Sequence, residues 1–304
     1  MKLTNVKGNT WAIEGPQLVA LYQIDDTHCV LIDPGSFKLL PSIEEALGEL
    51  GLIPVGVICT HMHYDHHETS QYFRTAYGAQ LALPQLEADI VRSEESLKNH
   101  LYIFTMDLIR TYPRLQNLIG PVDRVITRDE DTIQFCGAEF TIVHTPGHSP
   151  DHICVITPDN VCCAGDSLMT DEVLEGAMIP FAFDLSLDIE SKKKMMTLDC
   201  DASILCHCGV VYGPLEELGQ RNLDRVYQQL TAYADLITRP MTYSEVYQVV
   251  IRGMKLSVGH PIRAQYLERY LRPYLEYLVD TGALELIELD GAPAVRPRER
   301  NHED

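Results

Sequence analysis

Seven consecutive residues, His61-Met62-His63-Tyr64-Asp65-His66-His67, hold four histidines and an aspartate, directly after the apolar run Val55-Gly56-Val57-Ile58-Cys59-Thr60. Imidazole and carboxylate are the usual donors for zinc and its neighbours. Side chains two apart on an extended backbone share a face, so His61 and His63 can converge on one point. Asp65 and His66 follow where the chain must turn, and they can face a second point nearby. The spacing suggests two adjacent metal positions rather than a polar loop with chance histidines.

The run before the cluster is short and β-branched, so it reads as a buried strand with the histidines at its C-terminal end. That arrangement recurs. An apolar run at 140–143 leads into His144-Thr145-Pro146-Gly147-His148, where the Pro-Gly turn throws His148 out at a strand end. The run at 161–164 ends in Gly165-Asp166, and a carboxylate there is well placed to bridge two metals. The run at 203–206 delivers His207. If these strand ends lie along one edge of a layered sheet structure, their side chains converge.

The remaining elements follow from punctuation and periodicity. Residues 11–13, 19–24 and 29–32 read as strands, the last ending at Asp33-Pro34-Gly35. Residues 41–50 and 69–77 read as helices stopped by Gly51 and Gly78. Glu68 is a favourable charge at the start of the second helix rather than a ligand. Residues 84–120 are mostly helical and resemble an insertion over the sheet edge, with one or two aromatics free to line a pocket. Residues 186–198 read as a helix on which Lys192-Lys193-Lys194 is a solvated face. From about Leu215 the composition changes. A helix at 218–236 leads to Thr238-Arg239-Pro240, and Thr242-Tyr243-Ser244-Glu245 has the form of a capping box. A helix at 261–279 carries a tyrosine–leucine stripe suited to core or a dimer face. Residues 284–289 and 294–295 flank Asp290-Gly291 as a hairpin.

At 304 residues the chain has room for two domains. The division read here is 1–236 with the insertion at about 84–120, then a small helix–helix–hairpin module of winged-helix-like order at 237–295, then a polar tail at 296–304. If that module is separate, removing 238–304 should leave metal binding intact; loss of soluble protein would mean that it completes the core or a dimer interface. No apolar run approaches the roughly 18 residues of a membrane span. No signal-peptide pattern opens the chain, so a cytoplasmic protein is expected. Nine irregularly spaced cysteines fit that compartment better than a disulfide framework does. The formal charge of −20 disfavours a nucleic-acid partner and favours a small molecule.

With these residues assembled, the chain resembles the metallo-β-lactamase-fold hydrolase superfamily over about residues 1–235. The resemblance rests on His61-x-His63-x-Asp65-His66, Thr145-Pro146-Gly147-His148, Ala164-Gly165-Asp166 and His207. It implies an α/β fold, an αββα sandwich with two divalent metals at one edge of its sheets. It assigns His61, His63 and His148 to one metal, Asp65, His66 and His207 to the other, and Asp166 to the bridge. A hydroxide between the metals is the implied nucleophile, with Asp65 orienting it. The nitrogen-rich donor set favours zinc, with manganese or iron as alternatives. The resemblance also makes Asp33 a candidate carboxylate beneath the metal loop.

Departures narrow the reading. Asp65-His66 is followed by His67-Glu68-Thr69, without the Gly-Gly of glyoxalase II and many relatives, and Met169 stands where quorum-quenching lactonases carry a tyrosine. His152 reads as structural rather than as a seventh ligand. Cys206 and Cys208 flank His207 and read as small buried hydrophobes, with metal binding or redox sensing as the other possibility. Packing is the expected role of Tyr64 and Tyr212. The leading function is a dinuclear metal-dependent hydrolase of a small ester, thioester or lactone-like substrate. One alternative is a phosphodiesterase or ribonuclease that uses Arg263, Arg269, Arg272, Arg296, Arg298 and Arg300 to hold RNA. Another is a sulfur dioxygenase with a single iron on His61, His148 and Asp166. A non-catalytic scaffold is the least supported.

Overall fold

A computed structural model describes residues 2–102, 105–177, 179–207 and 209–298. Cys208, Arg300 and the end of the polar tail lie outside them.

β1 (Leu3–Lys7), β2 (Thr10–Ile13), β3 (Val19–Gln23) and β4 (His28–Ile32) form an antiparallel meander. α1 (Leu40–Leu50) crosses to β5 (Ile53–Ile58), and α2 (Tyr64–His67) with α3 (Ser70–Tyr77) crosses to β6 (Gln80–Pro84). Four short helices, α4 (Gln85–Val91), α5 (Glu94–Leu101), α6 (Met106–Thr111) and α7 (Pro113–Gln116), precede the edge strand β7 (Arg124–Ile126). These strands lie in chain order in one sheet, parallel from β4 onward.

The second sheet comprises β8 (Thr132–Phe135), β9 (Ala138–His144), β10 (Ile153–Ile156) and β11 (Val161–Cys163), with β12 (Ala202–Leu205) and β13 (Gly209–Tyr212) added after α8 (Asp171–Gly176) and α9 (Leu185–Met195). Its neighbours are antiparallel except β11 and β12. Consequently β9, β11 and β12 run in one direction.

Alternation along the strands explains the layers. On β4, Val30 and Ile32 enter the core between the sheets with Phe140, Ile153 and Val155. Cys29 and Leu31 point the other way, under Ile43, Phe73 and Leu97 of the flanking helices. A strand covered on both faces reads as an unbroken apolar run, which is how these strands appear in the sequence. On the outer face of the second sheet, Cys154, Cys162 and Leu205 pack under Met195 and Leu218. The result is the expected αββα sandwich. The 84–120 segment covers a face as well as an edge, since Val91, Leu97, Ile109 and Leu118 join the outer-face core of the first sheet.

Two strands of the sandwich escape the sequence reading. β1 and β13 are half-exposed edge strands without clear alternation, so periodicity carries no signal for them. Tyr212, expected to pack, is 63% exposed on β13. The lysine triplet is also not a uniform solvated face. Lys192 is buried, and its ammonium donates to both oxygens of Asp188 at 2.7 Å. Both residues fall on the side of α9 that buries Leu185 and Ile189, where an i,i+4 pair satisfies the two charges.

α10 (Glu216–Leu236) leads to β14 (Met241–Thr242), α11 (Tyr243–Gly253), α12 (Pro261–Asp280) and the hairpin β15 (Leu284–Leu289) and β16 (Ala292–Pro297). β14, β16 and β15 form a third, antiparallel sheet. The capping box at Thr242 and Glu245 is formed. Asp290 and Gly291 both take positive φ, the backbone of a tight hairpin turn. The stripe on α12 is core: Leu267, Leu271, Tyr274, Leu275 and Leu278 share one cluster with Leu185 and Ile189 of α9 and Leu223, Val226 and Tyr233 of α10. Tyr274 Oη also donates to the carbonyl of Pro180 at 3.0 Å. Removing residues 238–304 would expose the α9–α10 half of that cluster. Such a chain is expected to lose soluble, metal-binding protein, measured as soluble yield and metal content. A soluble product with full metal content would show that these elements are dispensable for folding.

Candidate metal centre

The candidate donors sit on loops that leave the C-terminal ends of strands: Asp33 after β4, His61 and His63 after β5, His148 after β9, Asp166 after β11 and His207 after β12. The two sheets therefore deliver them to one edge of the sandwich. His61 Nε2 lies 2.9 Å from His63 Nδ1, and His148 Nε2 lies 3.0 Å from the same atom. Three ring nitrogens thus point at a common centre, joined within 4.8 Å by Asp166. Asp65, His66 and His207 form an adjacent group of the same compactness. Asp166 touches both groups. Its Oδ1 is 3.2 Å from His66 Nε2 and 3.3 Å from His207 Nε2, while Oδ2 is 3.3 Å from His148 Nε2.

Close backbone approach makes this possible. Gly165 takes φ +51°, and a Cβ there would meet His152 Nε2 and Thr60 Oγ1. At Gly147, φ +132°, a Cβ would run into the backbone of Asp188. The loop bearing His148 is docked there on α9, with Ser191 Oγ donating to the carbonyl of Pro146 at 2.6 Å.

A supporting layer fixes the imidazoles. Asp33 Oδ1 accepts from the Thr60 amide and Oδ2 from Thr60 Oγ1, each at 2.7 Å. Asp33 Oδ2 also faces His66 Nδ1 at 3.0 Å. A proton on that nitrogen leaves Nε2 free to ligate. Thr60 Oγ1, its own proton given to Asp33, can accept from His61 Nδ1 at 3.0 Å. His152 uses both nitrogens structurally: Nδ1 meets Thr145 Oγ1 at 2.8 Å, and Nε2 accepts from the Asp166 amide at 3.1 Å. His67, the fourth histidine of the motif, turns away, its Nε2 3.2 Å from the carbonyl of Leu118.

Two signs show that the residues fit metal ions. His66 Nε2 and Asp166 Oδ1 are buried without a hydrogen-bond partner. Such orphans are rare, and a cation between them would satisfy both. At the first group the protonation states agree with ligation. Burial, reinforced by the neighbouring histidines, holds His61 and His63 well below the ordinary imidazole value, and burial also lowers His148. Neutral imidazole is the ligating form. At the second group, burial opposes charge, but the carboxylates of Asp166 and Asp33 outweigh it and raise His66 well above its usual value. Asp166 likewise outweighs burial at His207 and raises it.

Cys206 is buried 3.7 Å from Asp33 Oδ2 and groups with Asp33 and His66. Burial pushes its thiol up to about 12, so it behaves as a small neutral side chain. Tyr64 is half-exposed under the guanidinium of Arg114, 5.2 Å from its ring centroid. Sequence reasoning missed two parts of the site. Phe181 packs 5.2 Å from His63 and 5.5 Å from His148. Glu87, on α4, accepts hydrogen bonds from the Met62 amide, Ser149 Oγ and the Asp151 amide. Neither carries a motif or spacing that points to the metals.

A two-sheet sandwich with a His/Asp cluster across one edge has the architecture of a metalloenzyme. The chain belongs to the metallo-beta-lactamase superfamily, whose family model matches residues 12–207. Among curated relatives, the lactamase-like protein notP of Aspergillus sp. (strain MF297-2) is 30% identical over 59% of this chain and 58% of its own length. A hydroxyacylglutathione hydrolase of Salmonella paratyphi B is 26% identical over 60% of this chain and 57% of its own. The chain thus spans somewhat more than half the length of each. Among solved structures, a metallo-beta-lactamase family protein from Thermus thermophilus aligns with a TM-score of 0.69 at 18% identity, covering 95% of this chain and 99% of that one. A beta-lactamase domain protein from Burkholderia ambifaria aligns at 0.72 and 16% identity, over 98% and 94%. These two likenesses establish the fold.

Proposed function

We propose that this chain is a dinuclear metallohydrolase of a small ester or thioester. The observation that carries the reading is Asp166, whose two oxygens divide between two compact donor groups. His61, His63 and His148 would hold one ion, Asp65, His66 and His207 the other, and Asp166 both. The nitrogen-rich set suits zinc. When bound, the ions would supply Lewis acidity, acidifying a water and polarising the scissile carbonyl. Asp65, half-buried with Oδ2 3.5 Å from His207 Nε2, would help to hold the second ion and orient that water. Asp33 and Thr60 keep His66 and His61 in their ligating orientation, and Phe181 keeps one side of the donors apolar.

The name of the hydroxyacylglutathione hydrolase relative supports acyl rather than phosphoryl chemistry. Met169, held by Asn222 through its amide and carbonyl at 3.0 and 2.8 Å, has no phenol to offer a lactone, which argues against a lactonase. Two arginines of the RNA-binding alternative are paired with acids of this chain, Arg272 with Glu276 and Arg296 with Glu285. Residues 1–236 would carry the chemistry, with 237–295 walling the substrate side. The test is elemental analysis of protein purified anaerobically without added metal or chelator, followed by a thioester and phosphodiester panel. About two zinc or manganese ions per chain with thioester hydrolysis are expected. About one iron per chain and no hydrolysis would replace this reading with the oxygenase.

A further inference from the structure

A cavity of about 610 Å³ opens beside the metal cluster, between the end of α5, residues 181–184, α11 and α12. Phe181 connects the two. Besides touching His63 and His148, its ring lies 4.7 Å from that of Tyr270 and 5.2 Å from the guanidinium of Arg269. Arg269 is the unexplained group. Arg272, one turn further along α12, also lines the cavity but is paired with Glu276 at 2.9 Å. Among the described residues no acid pairs with Arg269. Its Nη2 instead donates to His100 Nε2 at 3.3 Å. Burial, and then Arg269 itself, push His100 down to about 3, so the imidazole is a neutral acceptor that orients the guanidinium without cancelling its charge. The chain has 44 acids against 24 bases, yet a half-buried arginine here lacks one. Its charge and most of its fork of donors stay available to a ligand.

We propose that this cavity takes the carboxylate end of an acyl substrate, with Arg269 as the residue that recognises it. The inference rests on the hydrolase reading above, because it places that end one aromatic ring from the metal donors. A planar carboxylate matches the guanidinium fork. A doubly charged phosphate is the poorer fit, because Asp184, Glu268 and Glu276 also line the cavity. Tyr102, Tyr247 and Tyr266 give it walls suited to an apolar or aromatic spacer between the carboxylate and the scissile carbonyl.

The test is calorimetric titration of the metal-loaded protein with 4-phenylbutyrate and with its primary amide, in wild type, Arg269→Gln and Arg269→Lys. The wild type is expected to prefer the acid by about ten- to a hundredfold, the range of a charge-assisted hydrogen bond. Arg269→Gln should erase that preference, and Arg269→Lys should keep part of it. Equal binding of acid and amide by the wild type overturns the proposal. So does a preference that survives in Arg269→Gln, which would place the carboxylate on the metals. A parallel assay compares aryl thioesters of glutaric acid and of its monomethyl ester. If neither is hydrolysed while the binding results hold, the hydrolase reading fails and the carboxylate site stands. If both are hydrolysed with equal KM, the hydrolase stands and the carboxylate site falls.

Discussion

Asp166→Ala is expected to leave the protein almost free of metal and to lower hydrolysis by at least about a thousandfold. Among the described residues, no other side chain reaches both donor groups within 3.3 Å. Its removal takes away the anionic oxygen shared by the two positions and the carboxylate grouped with His61, His63 and His148. What remains at the first position is three neutral imidazoles, and at the second Asp65 with His66 and His207 and no shared carboxylate. The backbone should hold, because the Asp166 amide still donates to His152 and Gly165 still fits beneath Thr60. Metal content by mass spectrometry and circular dichroism on the same sample separate loss of ligand from loss of fold. Full metal retention with a native spectrum would remove Asp166 from the bridge and with it the dinuclear reading.

The cluster of candidate donors was legible because it is written locally. Each donor follows a short apolar run, and a Gly or Pro-Gly turn sits beside His148 and Asp166, so strand ends and chemistry coincide along the chain. The sandwich was legible for the same reason, since strands covered on both faces announce themselves as apolar runs. What stayed hidden depends on contacts between residues distant in sequence. Lys192 looks like one of three solvated lysines until α9 is seen to bury the side that carries Asp188. Arg269 looks like one basic residue among eleven in the C-terminal part until Phe181, from the 179–184 segment, comes under it. Pairing across roughly 90 residues has no periodicity to betray it. The edge strands β1 and β13 failed for the opposite reason: half-exposed backbone needs no hydrophobic pattern.

Glu87 was the most deeply hidden of these, and its removal should have the second largest effect. It sits on α4, fully buried, and its carboxylate ties together the two loops that carry the first group of histidines. Oε2 accepts from the Met62 amide at 3.2 Å, between His61 and His63; Oε1 accepts from Ser149 Oγ at 2.7 Å and the Asp151 amide at 2.9 Å, just after His148. Glu87→Ala leaves three buried donors unpaired and frees the loops to move independently. Metal affinity is expected to fall by about ten- to a hundredfold, the usual cost of losing a group that supports the ligands. A role confined to stability would lower the melting temperature and leave the metal dissociation constant unchanged, so metal titration at a temperature where both proteins are folded decides between them. The carboxyl also sets a pH dependence. Burial raises it to about 7 from an ordinary value of 4.5, against the three hydrogen bonds that favour its charge. Between those values the folded chain keeps a proton that the unfolded chain releases, so this group's contribution to stability is present at low pH and is lost as pH rises through about 7. Glu87→Gln cannot titrate, so the difference in melting temperature between wild type and Glu87→Gln should shift against the wild type from pH 5 to pH 8. A constant difference across that range would mean that Glu87 is already ionised at pH 5, held as an anion by Met62, Ser149 and Asp151.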